Sequence, residues 1–246
     1  MLLPLPLPWR QAFAQRCRLA KDRKLGQVFA SRALSECAAS LKVAPRVVLQ
    51  QRIVPGQLYD NKLHNLRRGA SLVDGVVLQP GQTFSFWHSI GQASRANGFV
   101  EGRNIIQGRL RKELGGGLCQ LSGLLYHLAL LGGLEMIERH PHSIDLYREE
   151  DRFAPLGADA TVVWGVKDLR WRNPFEFSIY LQYWEWKGEL FAHLSGESVW
   201  TPKHVEFARE TLLASKAGVQ VRVATVIEGR VIALTDYLQK PGMALS

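Results

Sequence analysis

The chain has 246 residues, 46% of them hydrophobic, with a formal net charge of +9. That much apolar side chain builds a core and excludes a wholly disordered protein, and the length fits one large domain or one domain with extensions. Three cysteines argue against a disulfide framework and fit a reducing compartment, while the basic balance favours acidic partners: nucleic acid, an anionic membrane face or phosphorylated precursors.

The start, Met1-Leu2-Leu3-Pro4-Leu5-Pro6-Leu7-Pro8, is broken by prolines, lacks a basic leader and does not read as a secretory signal or a regular helix. From Trp9 to about Lys42, Trp9, Phe13, Leu19, Leu25, Val28, Phe29, Leu34 and Leu41 recur roughly at helical intervals. This stretch contains Cys17 and Cys37. Residues 1–46 hold nine Lys/Arg and two Asp/Glu, a local net of +7. It reads as a solvated basic helical extension, or as an amphipathic contact with an anionic membrane. No nucleic-acid motif or basic-aromatic interleaving is present, so no nucleic-acid partner is expected.

Val76-Val77-Leu78 and Thr83-Phe84-Ser85-Phe86 predict two strands around a Pro80-Gly81 turn. Residues 88–117, rich in Gly, Ser and Asn, predict mostly loop. Leu118 to about Leu131 is the clearest helix, and its polar residues and glycines mark it as a buried core helix rather than a membrane span. The runs Thr161–Trp164, Leu169–Trp171, Phe177–Trp184 and Leu190–Leu194 predict an antiparallel meander. Four of the seven tryptophans lie between residues 164 and 186, where they suit a sheet core. A short helix and linker are expected over about 201–216, then a hairpin around Glu228-Gly229.

The densest signal is Gly115-Gly116-Gly117-Leu118-Cys119-Gln120-Leu121-Ser122. Three successive glycines allow unusual backbone angles and close approach. The apolar helix that follows puts Cys119 at or near a helix N-terminus. There the dipole and unpaired N–H groups favour a thiolate and can hold an oxyanion. A cysteine so placed is a candidate nucleophile. The alternative is a small, inert buried cysteine.

Gly132-Gly133 stops the helix, and His140-Pro141-His142-Ser143 follows. A strand returning along the helix brings either histidine back beside Cys119 as a base. An orienting carboxylate is then expected from Asp159, with Asp145 as competitor. Gly116, Gly117, Gln120, Ser143 and Arg103 are the candidate substrate-binding residues. The 117–120 turn offers N–H groups to an oxyanion. Arg103, Arg109, Arg111 and Lys112 offer charge to a carboxylate, or simply form a solvated loop face. A His-x-His zinc site lacks a second cysteine and a fourth ligand. No phosphate-binding loop or dinucleotide fingerprint is present, so neither metal nor cofactor is expected.

The run from Gly115 to Ser122, followed by Leu125-Tyr126, Leu130-Leu131, Gly133-Leu134-Glu135 and Glu138–Ser143, resembles the VanW family. Leu78–Phe86 and Gly98-Phe99 upstream, and Pro155–Val162 with Asp168–Asn173 downstream, extend the resemblance over about residues 57–195. Many members carry Ser-Thr-Thr or Ser-Ser-Thr where this chain has Ser122-Gly123-Leu124.

The resemblance implies a bacterial protein tied to cell-wall peptide chemistry or glycopeptide resistance. It also implies a papain- or transglutaminase-like arrangement: Cys119 as nucleophile, His142 as base and Asp159 as orienter, with His140 assisting or structural. The expected function is acyl transfer on peptide or muropeptide-like substrates; a non-catalytic module binding wall precursors is the alternative. The expected fold class is α+β, a central helix carrying the Cys packed on an antiparallel sheet, with an N-terminal helical extension. The expected boundaries are 1–48, 49–200 and 201–246, and the expected location is cytoplasmic, with the membrane periphery as an option.

Overall fold

A computed structural model describes residues 6–32, 46–106, 109–216 and 218–240. In chain order it comprises α1 (Leu7–Lys24), β1 (Ser31–Arg32), β2 (Val47–Arg52), α2 (Tyr59–Val73), β3 (Val76–Leu78), β4 (Thr83–Ser85) and α3 (Phe86–Ile90). The hairpin β5 (Glu101–Ile106) and β6 (Arg109–Leu114) leads into α4 (Leu118–Leu131). Then come β7 (Glu135–Glu138), β8 (Ile144–Asp145), a 3₁₀ turn at Glu149–Asp151, β9 (Arg170–Arg172), β10 (Ile179–Trp186) and β11 (Glu189–Gly196). Three long strands follow: β12 (Val205–Ser215), β13 (Gly218–Ile227) and β14 (Arg230–Gln239).

The main sheet is antiparallel, in the order β1-β3-β10-β11-β2. Buried side chains of α4 and of the main sheet share one core cluster, which includes Leu125, Leu128, Leu181 and Leu194. Eleven of the 14 residues of α4 are buried, and a helix apolar on nearly every side belongs inside a core. At its C-terminal end a Cβ on Gly132 would sit 2.6 Å from Leu194 Cδ1, and a Cβ on Gly69 of α2 would sit 2.8 Å from Leu121. The absence of side chains at these two positions lets the helices approach the sheet and each other. The fold is α+β, with the cysteine-bearing helix packed on an antiparallel sheet.

Several elements differ from the sequence reading. The helical periodicity expected to reach Lys42 stops at Lys24, because Gly26 turns the chain at a φ of +62°. Val28 and Ala30 then bond to Thr83 of β4, and β1 pairs with β3. Residues 33–45, including Leu34, Cys37 and Leu41, lie outside the described residues. The boundary expected at 48–49 falls inside β2, which pairs with β11.

The loop expected over 88–117 contains the β5–β6 hairpin, in register from Glu101↔Leu114 to Ile106↔Arg109. The strands on either side of Pro80-Gly81 enter different sheets: β3 joins β10, and β4 joins β9. The expected meander is likewise split. β10 and β11 form a hairpin, whereas β9 sits between β4 and β7 in a separate three-stranded sheet.

Residues 205–215, expected as part of a helix and linker, are strand β12, paired with β13 along its length. The final hairpin turns at Glu228 and Gly229, both at positive φ, as a two-residue β-turn requires. The last three strands and β8 form a four-stranded sheet in the order β12-β13-β14-β8, with β14 and β8 parallel. Among the described residues no helix is long and apolar enough to cross a membrane.

Candidate functional site

The glycine turn before α4 is a close approach of two backbones. A Cβ on Gly116 would lie 2.2 Å from the carbonyl carbon of Gly102 on β5, and Gly117 has a φ of +103°. Asn65 of α2, fully buried, fastens the contact. Its Nδ2 donates to the Val100 and Gly116 carbonyls at 3.0 Å each, and its Oδ1 accepts from the Val100 N–H at 2.9 Å. Removing water from this amide without its three partners would cost about 1–3 kcal/mol per lost bond, so the turn is held firmly. Cys119 follows as the second residue of α4. Leu118 N–H donates to Gly115 and Gln120 N–H to Gly117. Among the described residues, no backbone acceptor faces the amides of Gly117 or Cys119.

After α4, β7 runs back antiparallel to β9 and delivers the His-Pro-His segment to the helix start. His142 and Cys119 line the same cleft, near enough for each to shift the other's protonation. The His142 Nδ1 lies 2.7 Å from Asp159 Oδ2, and its backbone N–H donates to the same oxygen at 2.7 Å. With Nδ1 facing a carboxylate, Nε2 is the ring nitrogen left for the sulfur.

Asp159 is itself pinned. Its Oδ1 accepts from Arg139 Nη2 at 2.9 Å and from the Tyr237 hydroxyl at 2.5 Å. Arg139 also donates to the carbonyls of Gly157 and Asp159 and to the Thr235 hydroxyl, and its guanidinium lies over the Tyr126 ring at 4.9 Å. Gly157, at a φ of +104°, packs so closely on Phe207 and Val223 that a Cβ would meet both within 2.8 Å. The carboxylate is thus seated on the C-terminal sheet.

These contacts set the charges. Burial pushes the Cys119 thiol up, but the hydrogen bond and charge of His142, helped by the Val162 backbone, outweigh it and hold the thiol below its ordinary value. Burial pulls His142 down, but Asp159 and the Cys119 sulfur raise it to about 10. Burial likewise raises Asp159, yet His142, Arg139 and Tyr237 hold it well below the usual carboxylate range. These contacts push Cys119 towards the thiolate, His142 towards the imidazolium and Asp159 towards the carboxylate, at a helix N-terminus.

The half-buried Cys119 faces a cleft that is also lined by Gly117, Gln120, Arg103, His142 and Asp159. Several residues singled out from sequence have partners other than the Cys119–His142 pair. The His140 ring bonds Glu138 Oε1 at 2.9 Å, and Glu138 in turn pairs with Arg18 of α1. His140 and His142 therefore face different carboxylates, because the segment leaves the β7 ladder after Glu138 and does not keep strand alternation. Gly116 serves packing on Gly102, and Ser143 is exposed, its carbonyl accepting from Leu238 N–H. Gln120 reaches Arg52 O with its Nε2 at 2.9 Å. Asp145 pairs with Arg152, away from the histidine. Among the described residues no group of three or more His, Cys, Asp or Glu side chains is arranged to hold a metal ion.

Sequence reasoning missed Asn65, Arg139 and Tyr237. Arg139 stands immediately before the His-Pro-His run, where its charge was a usable signal. Tyr237 is 78 residues from Asp159, and nothing local marks it.

The family model described as VanW-like protein matches residues 61–195, a span that contains Cys119, His142 and Asp159. This chain belongs to the VanW-like family. The vancomycin B-type resistance protein VanW of Enterococcus faecalis is 35% identical over 114 residues, covering 46% of this chain and 42% of that protein. The uncharacterized protein YoaR of Bacillus subtilis is 30% identical over 139 residues, covering 56% of this chain and 44% of YoaR. The chain thus spans less than half the length of these relatives. No solved structure matches it. Tyr237 lies beyond the VanW-like segment yet bonds to Asp159 within it.

Proposed function

We propose that this protein is a cysteine-nucleophile acyl-transfer enzyme acting on peptidoglycan-type peptides. The observation that supports the reading is Cys119 and His142 on one cleft, with the His142 ring held by Asp159 and the charge of His142 lowering the thiol. The Cys119 thiolate attacks a substrate carbonyl carbon, and the carbonyl π-electrons move onto oxygen. The N–H groups of Cys119 and Gly117 receive that oxyanion. As the tetrahedral centre collapses, the C–N bond breaks and the leaving amine takes its proton from His142. The thioester left on Cys119 is then attacked by an amine or water. His142 accepts the attacker's proton and the thiolate departs. Asp159 holds the ring throughout and stabilises its positive charge whenever it is protonated.

The substrate class comes from the family. The relative named for vancomycin B-type resistance supports the wall-peptide substrate that the VanW-like resemblance implies. A partner role for an anionic membrane rests on α1, where Trp9 and Phe13 are 70% and 68% exposed amid basic residues.

Intact-mass analysis after incubation with stem-peptide fragments tests the reading. The expected result is an acyl adduct on Cys119 that hydroxylamine releases. No adduct, together with Cys119 alkylation no faster than that of the exposed Cys17, would overturn it in favour of a non-catalytic binding module.

A further inference from the structure

The wall of the cleft around the glycine turn carries two cations that the acyl-transfer step does not use. Lys62 and Asn65 are three residues apart on α2 and share a helix face. Asn65 fixes the backbone of Gly116. Lys62 lies against the neighbouring glycine, its Cγ 2.9 Å from where a Cβ on Gly117 would stand. Gly117 is two residues before the sulfur. Arg103 comes from β5, next to the Gly102 that packs on Gly116, and lines the same cleft. Burial and then the Arg103 charge pull the Lys62 amine down to about 8.

Two carboxylates line the cleft, Asp145 and Asp159. Asp159 is taken by His142, Arg139 and Tyr237, and Asp145 by Arg152 and by Gln239 Nε2 at 2.8 Å. Among the described residues no carboxylate pairs with Lys62; the Phe153 ring stands 6.0 Å from its Nζ. A half-buried ammonium facing a like charge is unfavourable until an anion arrives. It therefore favours an anionic ligand over a neutral one.

We propose that Lys62, with Arg103 beside it, is a carboxylate-binding subsite, so that the cleft takes peptides bearing a free carboxylate beside the bond that Cys119 cleaves. Such a subsite orients the peptide by its charge before any covalent step. The subsite deepens the acyl-transfer reading, but its binding claim can be tested without a working sulfur.

The test uses Cys119→Ser protein and calorimetric titration with N-acetyl-alanyl-alanine against the same peptide capped as its C-terminal amide. The acid is expected to bind about 10-fold more tightly than the amide, as a charge-assisted contact predicts. Lys62→Gln should reduce that preference to under about twofold, Lys62→Arg should keep most of it, and Arg103→Gln should give an intermediate loss. Equal binding of acid and amide, or no binding of either at millimolar concentration, overturns the subsite, as does a preference that survives Lys62→Gln. If Lys62→Gln does not fold, the acid-to-amide ratio of the parent and of Arg103→Gln still decides. A failure here leaves the alkylation and adduct tests of Cys119 untouched, and a failure there leaves this titration interpretable.

Discussion

His140 and His142 stand on either side of one proline and on spacing alone are equal candidates as partners for Cys119, yet they end in different surroundings. The His140 ring turns to Glu138, which belongs to the ion-pair group that ties α1 to the core: Arg18 with Glu138, and Arg170 with Asp22 and Asp168. The His142 ring turns to Asp159 and the sulfur. One side of the segment is mortar between elements, and the other lines a cleft. The difference teaches that a histidine's role is set by the carboxylate it meets, and that carboxylate comes from a distant part of the chain.

The sharpest way to break this contrast is to truncate each ring. His142→Ala should slow Cys119 alkylation by iodoacetamide near neutral pH by about 100-fold and remove turnover, since the thiol loses the contact that lowers it. His140→Ala should leave that rate within about twofold and act instead on the melting temperature, through Glu138. Equal effects of the two substitutions on alkylation would dissolve the distinction.

Asp159→Asn should come next. It leaves the Arg139 guanidinium, 8% exposed, without its charge partner, at a cost of about 3–5 kcal/mol in chemical denaturation. The sign of its pH dependence follows from the depressed carboxyl. The stability Asp159 contributes is present above its unfolded value of about 3.9 and is lost as pH falls through the lower folded value. The parent should therefore lose stability on acidification below about pH 4 more steeply than the Asn variant does.

A gentler probe is alkaline pH. His142 holds its proton to about 10, so expulsion of an amine should fail above that pH while alkylation of the thiolate continues. Loss of both together would mean that the imidazolium is not the acid. The smallest effect is expected from Tyr237→Phe, which removes one donor to Asp159 and should cost about 1–3 kcal/mol with a modest drop in alkylation rate.

What the sequence determined by itself is local. The three glycines, the apolar run after them and the two glycines at its end marked α4, its start and its stop, because backbone freedom and uniform apolarity act within a few residues. They also marked Cys119, whose setting at a helix N-terminus depends on those same neighbours. The VanW-like motif, which reads as one continuous string, was equally legible. Tertiary structure alone decided the rest. Residues 101–114 looked like loop and 205–215 like helix, because strand pairing is fixed by a partner strand elsewhere in the chain. Two adjacent strands around Pro80-Gly81 parted into different sheets for the same reason. Which histidine faces the sulfur, that Arg139 and Tyr237 hold the carboxylate, and that Lys62 faces the cleft all depend on contacts between separate elements. A hydrogen bond reaches about 3 Å through space whatever the distance along the chain, so no pattern of neighbours announces it.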